Sequence, residues 1–273
     1  MLIGLEQAYV LCSRLAGVGL IVSSAEQLSL LRDLGPGGAY DPRVITVGLG
    51  AAATRVTRAL ATRTEPLTLA LVARLFAGLV LLLSSNTTTL MTAFWILAVA
   101  TTFYTRWRNR YGGEDGSDQM MGIMSVAFAV GLLLDFDNRV AAFSIYFVGA
   151  QACLAYATAG ICKLVSSEWR SGLAIRGVLA TRTYGMEHWA KSIQSSSSLA
   201  LAACWGTIAF ETSFILAPIL PEVPLFILCS IAGVFHAVVA VIMGLNGFFW
   251  SFVATYPAII YLNQAVTTYL WPS

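Results

Sequence analysis

Residues 140–162, VAAFSIYFVGAQACLAYATAGIC, decide the fold class of this chain. The stretch has no charged side chain and is long enough, as a helix, to cross the hydrocarbon core of a bilayer, which is about 30 Å thick. The whole chain agrees with it: 273 residues, 58% hydrophobic and 11% charged, with a mean hydropathy of +0.75. Soluble domains carry roughly 25% charged residues. The sequence therefore predicts an integral membrane protein.

Unbroken apolar runs favour helices over the strands of an outer-membrane barrel, which alternate apolar and polar residues over segments of about ten. Eight such runs predict transmembrane helices: 7–30, 67–84, 90–105, 120–134, 140–164, 199–220, 224–243 and 248–270. A further segment, 44–63, carries arginines at helical spacing among apolar residues and is typical of an amphipathic helix at the membrane interface. We expect an all-α, polytopic helical membrane bundle of about eight spans plus this interfacial helix. It forms a single transmembrane domain over 1–273 without a separate soluble domain.

Lysine and arginine are unevenly distributed among the predicted loops. The first, third and fifth loops carry nearly all of them, whereas the opposite face has Arg139. Because basic loops stay on the cytoplasmic side, we predict cytoplasmic basic loops and both termini outside. The net charge is only +2, which argues against nucleic acid as a partner. Two long polar loops on the basic face, 106–119 and 166–198, are candidates to cover a site, the second as short helices.

Ionisable side chains inside a bilayer are costly and indicate function by default. For Arg14 and Arg74 we favour pairing with Glu26 or contact with lipid phosphates, and we assign Asp135 and Asp137 to helix ends. The remaining ionisable candidates lie on three different spans: Lys163, Glu211 and His236.

Lys163 has two possible roles. Beside an apolar substrate or a quinone, a desolvated lysine can act as a base, whereas beside Glu211 it would form a structural ion pair. Tyr156 lies seven residues earlier, on the same helical face. His236 fits three roles: a hydrogen-bonded core residue, a quinone hydrogen-bond partner, or an acid/base.

Several chemistries lack their usual residues. Two histidines and no clustered ligand spacing argue against a metal site. The five cysteines, Cys12, Cys153, Cys162, Cys204 and Cys229, show no CxxC pair and are predicted to be buried packing residues. Phosphate-binding glycine motifs and the serine-hydrolase elbow are also missing.

Four stretches occur in a fixed order: YGGEDGSDQM at 111–120, AGICKLVSSEWRSG at 159–172, FETSF at 210–214 and FHAVVAVIMGLNGF at 235–248. Together they resemble the HTTM family, the membrane domain shared by vitamin K-dependent gamma-glutamyl carboxylase and bacterial proteins that include sporulation-delaying-protein maturation factors. The resemblance implies a vitamin K-type quinone or hydroquinone as cofactor and a bacterial inner-membrane location.

By this resemblance, Lys163 is the base that deprotonates the hydroquinone, and His236 lies near the same site. Glu211 joins them as a hydrogen-bonding or acid/base partner. The residues predicted to bind substrate or cofactor are Asp118, Gln119, Tyr156, Trp169 and Asn246.

Two functions from different classes remain open. The first is a membrane-embedded, quinone-linked enzyme that modifies a peptide or small molecule. The second is a non-catalytic membrane subunit that anchors or matures a protein partner, with small residues such as Gly17, Gly19, Gly149 and Gly160 at helix contacts. Transport is disfavoured, since neither paired broken helices nor an internal repeat is evident in the sequence.

Overall fold

The computed structural model describes residues 3–43, 55–87, 89–109, 116–134, 139–181, 191 and 195–270. Within these ranges the chain folds into helices and turns and contains no strand. The helices are α1 (Leu5–Ser29), α2 (Arg55–Thr62), α3 (Thr64–Leu83), α4 (Thr89–Asn109), α5 (Gly116–Leu133), α6 (Arg139–Val165), α7 (Ser167–Arg170), α8 (Leu173–Leu179), α9 (Ser197–Ser213), α10 (Glu222–Met243), α11 (Asn246–Val253) and α12 (Tyr256–Leu270), with a 3₁₀ helix (Phe214–Ile219) directly after α9. The predicted all-α class is confirmed.

Six helical segments of the described chain are long and apolar enough to cross a membrane: α1, α3, α5, α6, α9 with its 3₁₀ extension, and α10. This set is compatible with an integral membrane protein. The predicted span at 90–105 is helical as well, but threonines and Arg106 lower the apolar content of α4. The structure also extends α4 to Asn109 and begins α5 at Gly116, so the predicted 106–119 loop is shorter than expected.

The predicted span at 248–270 is two helices, α11 and α12, separated by Ala254 and Thr255. Pro257 explains the break, because proline has no N–H to donate to the carbonyl of Val253 four residues before it. At the break, the Thr255 hydroxyl donates to the Phe252 carbonyl at 2.7 Å.

The chain divides into two compact units. The N-terminal unit comprises Tyr9–Ser144, and the C-terminal unit comprises Met1–Ala8 with Ile145–Ser273. In the N-terminal unit, α1 and α3 cross at Gly17 and Gly78: a Cβ on Gly17 would lie 2.5 Å from the Gly78 carbonyl oxygen. Glycine is required at this crossing because the two backbones touch.

The predicted amphipathic segment is described over Arg55–Thr62, and residues 44–54 lie outside the described part of the chain. The described eight residues of this helix rise about 12 Å. Val56 and Leu60 are exposed one turn apart, and Arg55 and Arg58 are exposed as well. Exposed apolar and basic side chains together are typical of a helix that lies at an interface.

Candidate functional site

One face of α6 in the C-terminal unit carries Tyr156, Gly160 and Lys163. Residues spaced by four and three positions lie on the same side of a helix. A Cβ on Gly160 would be 2.5 Å from the Thr212 backbone nitrogen and 2.9 Å from the Glu211 carbonyl carbon. The missing side chain therefore lets the α6 and α9 backbones approach each other closely.

This close approach brings Lys163 to Glu211. The lysine Nζ donates to both carboxylate oxygens, at 2.9 Å to Oε1 and 2.7 Å to Oε2. The exposed fraction of the side chain is 20% for Lys163 and 7% for Glu211, so both charges are largely withdrawn from the surface. Of the two roles considered for Lys163, the structure places it in the ion pair. A buried carboxylate that keeps its charge needs such a partner.

Trp169 covers the cation of this pair. The Lys163 Nζ lies 5.1 Å from the centroid of the indole ring, within the range of a cation–π contact. The ring is carried by the single-turn helix α7, whose N-cap Ser166 accepts a hydrogen bond from the Trp169 backbone N–H. Ser166 also donates to Glu168. The pKa of the Glu168 carboxyl lies below its usual value because its own backbone N–H, and then this serine hydroxyl, stabilise the charged form.

The described part of the 166–198 segment contains two short helices, α7 and α8, which contact α9. The Trp205 indole N–H donates to the Arg170 carbonyl at 3.2 Å, and Arg176 Nη2 donates to Ser197 Oγ at 2.9 Å. Gly172 joins α7 to α8 with a φ of 80°, a left-handed conformation that favours glycine. Trp189 and His188, predicted in the same segment, lie outside the described residues.

His236 on α10 is the centre of a second group of polar side chains, which it forms with Tyr156 and Tyr256. Its Nε2 lies 2.7 Å from the Tyr156 hydroxyl, which is in turn 3.2 Å from the Tyr256 hydroxyl. His236 is 3% exposed. Aromatic rings enclose His236 and Tyr156: Phe210, Phe214, Phe235, Phe248 and Phe252. Phe214 stacks on Tyr156 at 3.9 Å and Phe252 on His236 at 4.7 Å between ring centroids.

The other imidazole nitrogen of His236, Nδ1, can be a hydrogen-bond donor or an acceptor. Nδ1 is buried and has no hydrogen-bond partner among the described residues. If Tyr156 donates to Nε2, Nδ1 carries the proton and is a donor. If Tyr156 donates to Tyr256 and accepts from Nε2, Nδ1 is an acceptor. The group can therefore offer either role to a ligand oxygen.

The C-terminal unit holds six of the eight predicted site residues. Lys163, Glu211 and Trp169 form one contact group, and Tyr156 and His236 form the neighbouring one. Asn246 is the first residue of α11, two residues before Phe248. Asp118 and Gln119 are exposed in the first turn of α5 and belong to the N-terminal unit.

Tyr256 and the phenylalanines around His236 were not identified from the sequence. The spacing of the phenylalanines is typical of ordinary core packing in an apolar span. The direction of the Tyr256 side chain depends on the helix break before it. A sequence signal does exist for Tyr256, since Pro257 marks the break, but it does not indicate a hydrogen bond to Tyr156. Asp135 and Asp137 lie outside the described residues.

The described residues contain no group of three histidine, cysteine or carboxylate side chains placed to hold a metal ion. All five cysteines are free thiols; four are buried and Cys162 is exposed, so the packing prediction holds for four of them.

Comparison with protein-family models, with curated proteins and with solved structures finds no match to this chain.

Proposed function

We propose that the C-terminal unit binds a quinone or hydroquinone within the membrane and belongs to a quinone-linked enzyme that modifies a peptide or small molecule. One observation carries the proposal: the buried His236 Nδ1, without a partner in the described chain, sits among aromatic rings. A quinone oxygen needs a hydrogen-bond donor, a hydroquinone hydroxyl needs an acceptor, and the flat apolar ring of either packs well against phenylalanine.

The hydrogen-bonded chain from His236 through Tyr156 to Tyr256 suits a ligand that changes its protonation. A proton shift along hydroxyl and imidazole groups switches Nδ1 between donor and acceptor without moving a heavy atom. Both states of the cofactor can then be held in one pose. The same switch would not be available to a phenylalanine or leucine in place of His236.

The ion pair changes the role that we assign to Lys163. An ammonium held at 2.7 Å from Glu211 is not a free base. In this arrangement Glu211 is the group that accepts a proton, and Lys163 stabilises negative charge on an oxygen placed beside it. Lys163, Glu211 and His236 remain the proposed catalytic residues, with Tyr156 and Trp169 bordering the ligand.

The wider setting follows from the sequence patterns. We propose that the chain is an HTTM-like protein of a bacterial inner membrane, crossing it about eight times, with basic loops cytoplasmic and termini outside. Asp118, Gln119 and Asn246 are retained as proposed substrate or cofactor contacts. The exposed basic helix α2 supports an interfacial position on the cytoplasmic side.

The test is quinone content after gentle purification. Organic extracts of wild type, His236→Phe and Tyr261→Phe are compared by mass spectrometry. Phenylalanine keeps the ring packing of His236 but removes both nitrogens. Tyr261, which stacks on Tyr146 at 5.3 Å, controls for loss of an aromatic polar atom elsewhere in the same unit.

A quinone held stoichiometrically by wild type and Tyr261→Phe, and lost from His236→Phe, supports the proposal. Wild-type protein without quinone, or His236→Phe with an undiminished amount, contradicts it.

A second function is supported by the ion pair itself. Lys163 neutralised by Glu211 is also what a purely structural pair looks like, and this favours a non-catalytic membrane subunit that anchors or matures a partner. That function predicts a co-purifying protein, no quinone, and an unchanged complex when Lys163 and Glu211 are both replaced by methionine.

A further inference from the structure

A buried arginine in the N-terminal unit is held only by neutral groups among the hydrogen bonds described. Arg74, on α3, is 4% exposed. Its Nε donates to Ser24 Oγ of α1 at 2.9 Å, and its Nη1 donates to Thr105 Oγ1 of α4 at 3.0 Å. Three helices therefore fix the plane of the guanidinium group. The expected pairing with Glu26 or lipid phosphate is not what positions this side chain.

Two polar atoms beside this arrangement are unused. Arg74 Nη2 and Thr102 Oγ1 are both buried and have no hydrogen-bond partner within the described residues. Thr102 is 4% exposed and precedes Thr105 by three residues, so both threonines lie on the side of α4 that meets Arg74. A buried donor without an acceptor is destabilising. Because Arg74 Nη1 contacts Thr105 and Thr102 lies one helical turn before Thr105, we infer that the two unused atoms face the same region.

The charge of Arg74 also lacks a contacting carboxylate in the described hydrogen bonds. Serine and threonine hydroxyls accept from the guanidinium but do not neutralise it. Asp118, at the start of α5, acts on Arg74 electrostatically, yet Asp118 is exposed and its field is weakened by solvent. A cation buried at a helix contact in a membrane protein is expensive unless an anion reaches it.

We propose that Arg74 and Thr102 form a binding site for the carboxylate group of a ligand, separate from the His236 group. A carboxylate presents two oxygens in one plane and one negative charge, which matches the planar Nη2 amino group, the Thr102 hydroxyl and the single positive charge of Arg74. A phosphate group carries up to two negative charges, and the single guanidinium charge would neutralise only one of them. The ligand is either a soluble monocarboxylate or the headgroup of a fatty acid in the bilayer.

The experiment measures saturable binding of radiolabelled butanoate and decanoate to the full chain in phosphatidylcholine nanodiscs. Wild type is compared with Thr102→Val, which keeps the side-chain shape but removes the hydroxyl. Thr101→Val is the matched control, because the Thr101 hydroxyl already donates to the Leu97 carbonyl at 2.8 Å. Arg74→Lys keeps the positive charge but replaces the planar guanidinium group, with its paired N–H donors, by an ammonium group.

We expect Thr102→Val to weaken binding about tenfold or more, the usual effect of losing one hydrogen bond to a charged group. Thr101→Val should bind as wild type does, and Arg74→Lys should bind less tightly. Binding of both probes identifies recognition of the carboxylate alone, whereas binding of decanoate only identifies a ligand from the bilayer.

The proposal is overturned if wild type binds neither probe, or if the two threonine variants lose binding equally. It is also overturned if inorganic phosphate or phosphatidylglycerol displaces the carboxylate at equal or lower concentration.

Discussion

Adding one methyl group at Gly160 is expected to separate α6 from α9 and destabilise the C-terminal unit. In Gly160→Ala the new Cβ would be 2.5 Å from the Thr212 backbone nitrogen, a distance that real Cβ atoms do not adopt. The obstacle is backbone, so no side chain can rotate out of the way. Overpacking of this kind costs about 1–3 kcal/mol. For a chain of this size, that lowers the melting temperature by about 2–4 °C per kcal/mol.

Gly206, on α9, provides the matched control, since a Cβ there would meet no atom within 4 Å. Alanine is a better helix former than glycine, so Gly206→Ala should stabilise the protein by about 0.5–1 kcal/mol. The two substitutions are chemically identical and are expected to move the melting temperature in opposite directions. Thermal unfolding in detergent, followed by a thiol-reactive dye that reports the buried cysteines, measures both.

A double-mutant cycle connects this contact to the ion pair. If separation of the helices pulls Lys163 from Glu211, then Lys163→Met should cost less in the Gly160→Ala background than in wild type. Equal melting temperatures for Gly160→Ala and Gly206→Ala would refute the close contact. Strict additivity in the cycle would show that the contact does not position the pair.

Three further outcomes are expected. Lys163→Met alone should destabilise the fold by about 3–5 kcal/mol by leaving Glu211 unpaired, and replacing both with methionine should recover most of the loss in thermal unfolding. Tyr156→Phe should cost about 1–3 kcal/mol by removing the hydroxyl partner of the buried imidazole, measured in the same way. The pKa of Asp41 is held well below its usual value, first by the Arg43 side chain. The contact between Asp41 and Arg43 should therefore persist as the pH falls through the ordinary carboxyl range and be lost only at lower pH. An NMR titration of labelled aspartate measures this.

The positions of the long helices were predictable because apolar runs record them directly. The run at 140–162 lies inside α6, Arg139–Val165, and the run at 224–243 lies inside α10, Glu222–Met243. The small-residue prediction also succeeded at Gly17, Gly149 and Gly160, where a Cβ would strike a neighbouring backbone. Hydropathy and residue size are local properties, so the sequence alone carries them.

Side-chain pairing was not predictable to the same degree. Lys163 and Glu211 are 48 residues apart, and the sequence leaves open whether they touch. The answer depends on the register of α6 against α9, which is set by the contact at Gly160. Tyr156 was placed on the correct face, but its hydrogen bonds to His236 and Tyr256 depend on two other helices. Arg74 shows the same limit, because its hydroxyl partners come from α1 and α4.

The interruption at Ala254 and Thr255 has a consequence for how the last part of the chain enters a bilayer. Alone, α11 and α12 rise about 12 and 22 Å, and neither crosses about 30 Å of hydrocarbon. Non-helical backbone is tolerated at membrane depth only where protein shields it from lipid, and both Ala254 and Thr255 are 0% exposed. The rest of the C-terminal unit buries these two residues. If residues 246–270 lie within a bilayer, they therefore depend on the rest of the C-terminal unit to shield this joint from lipid.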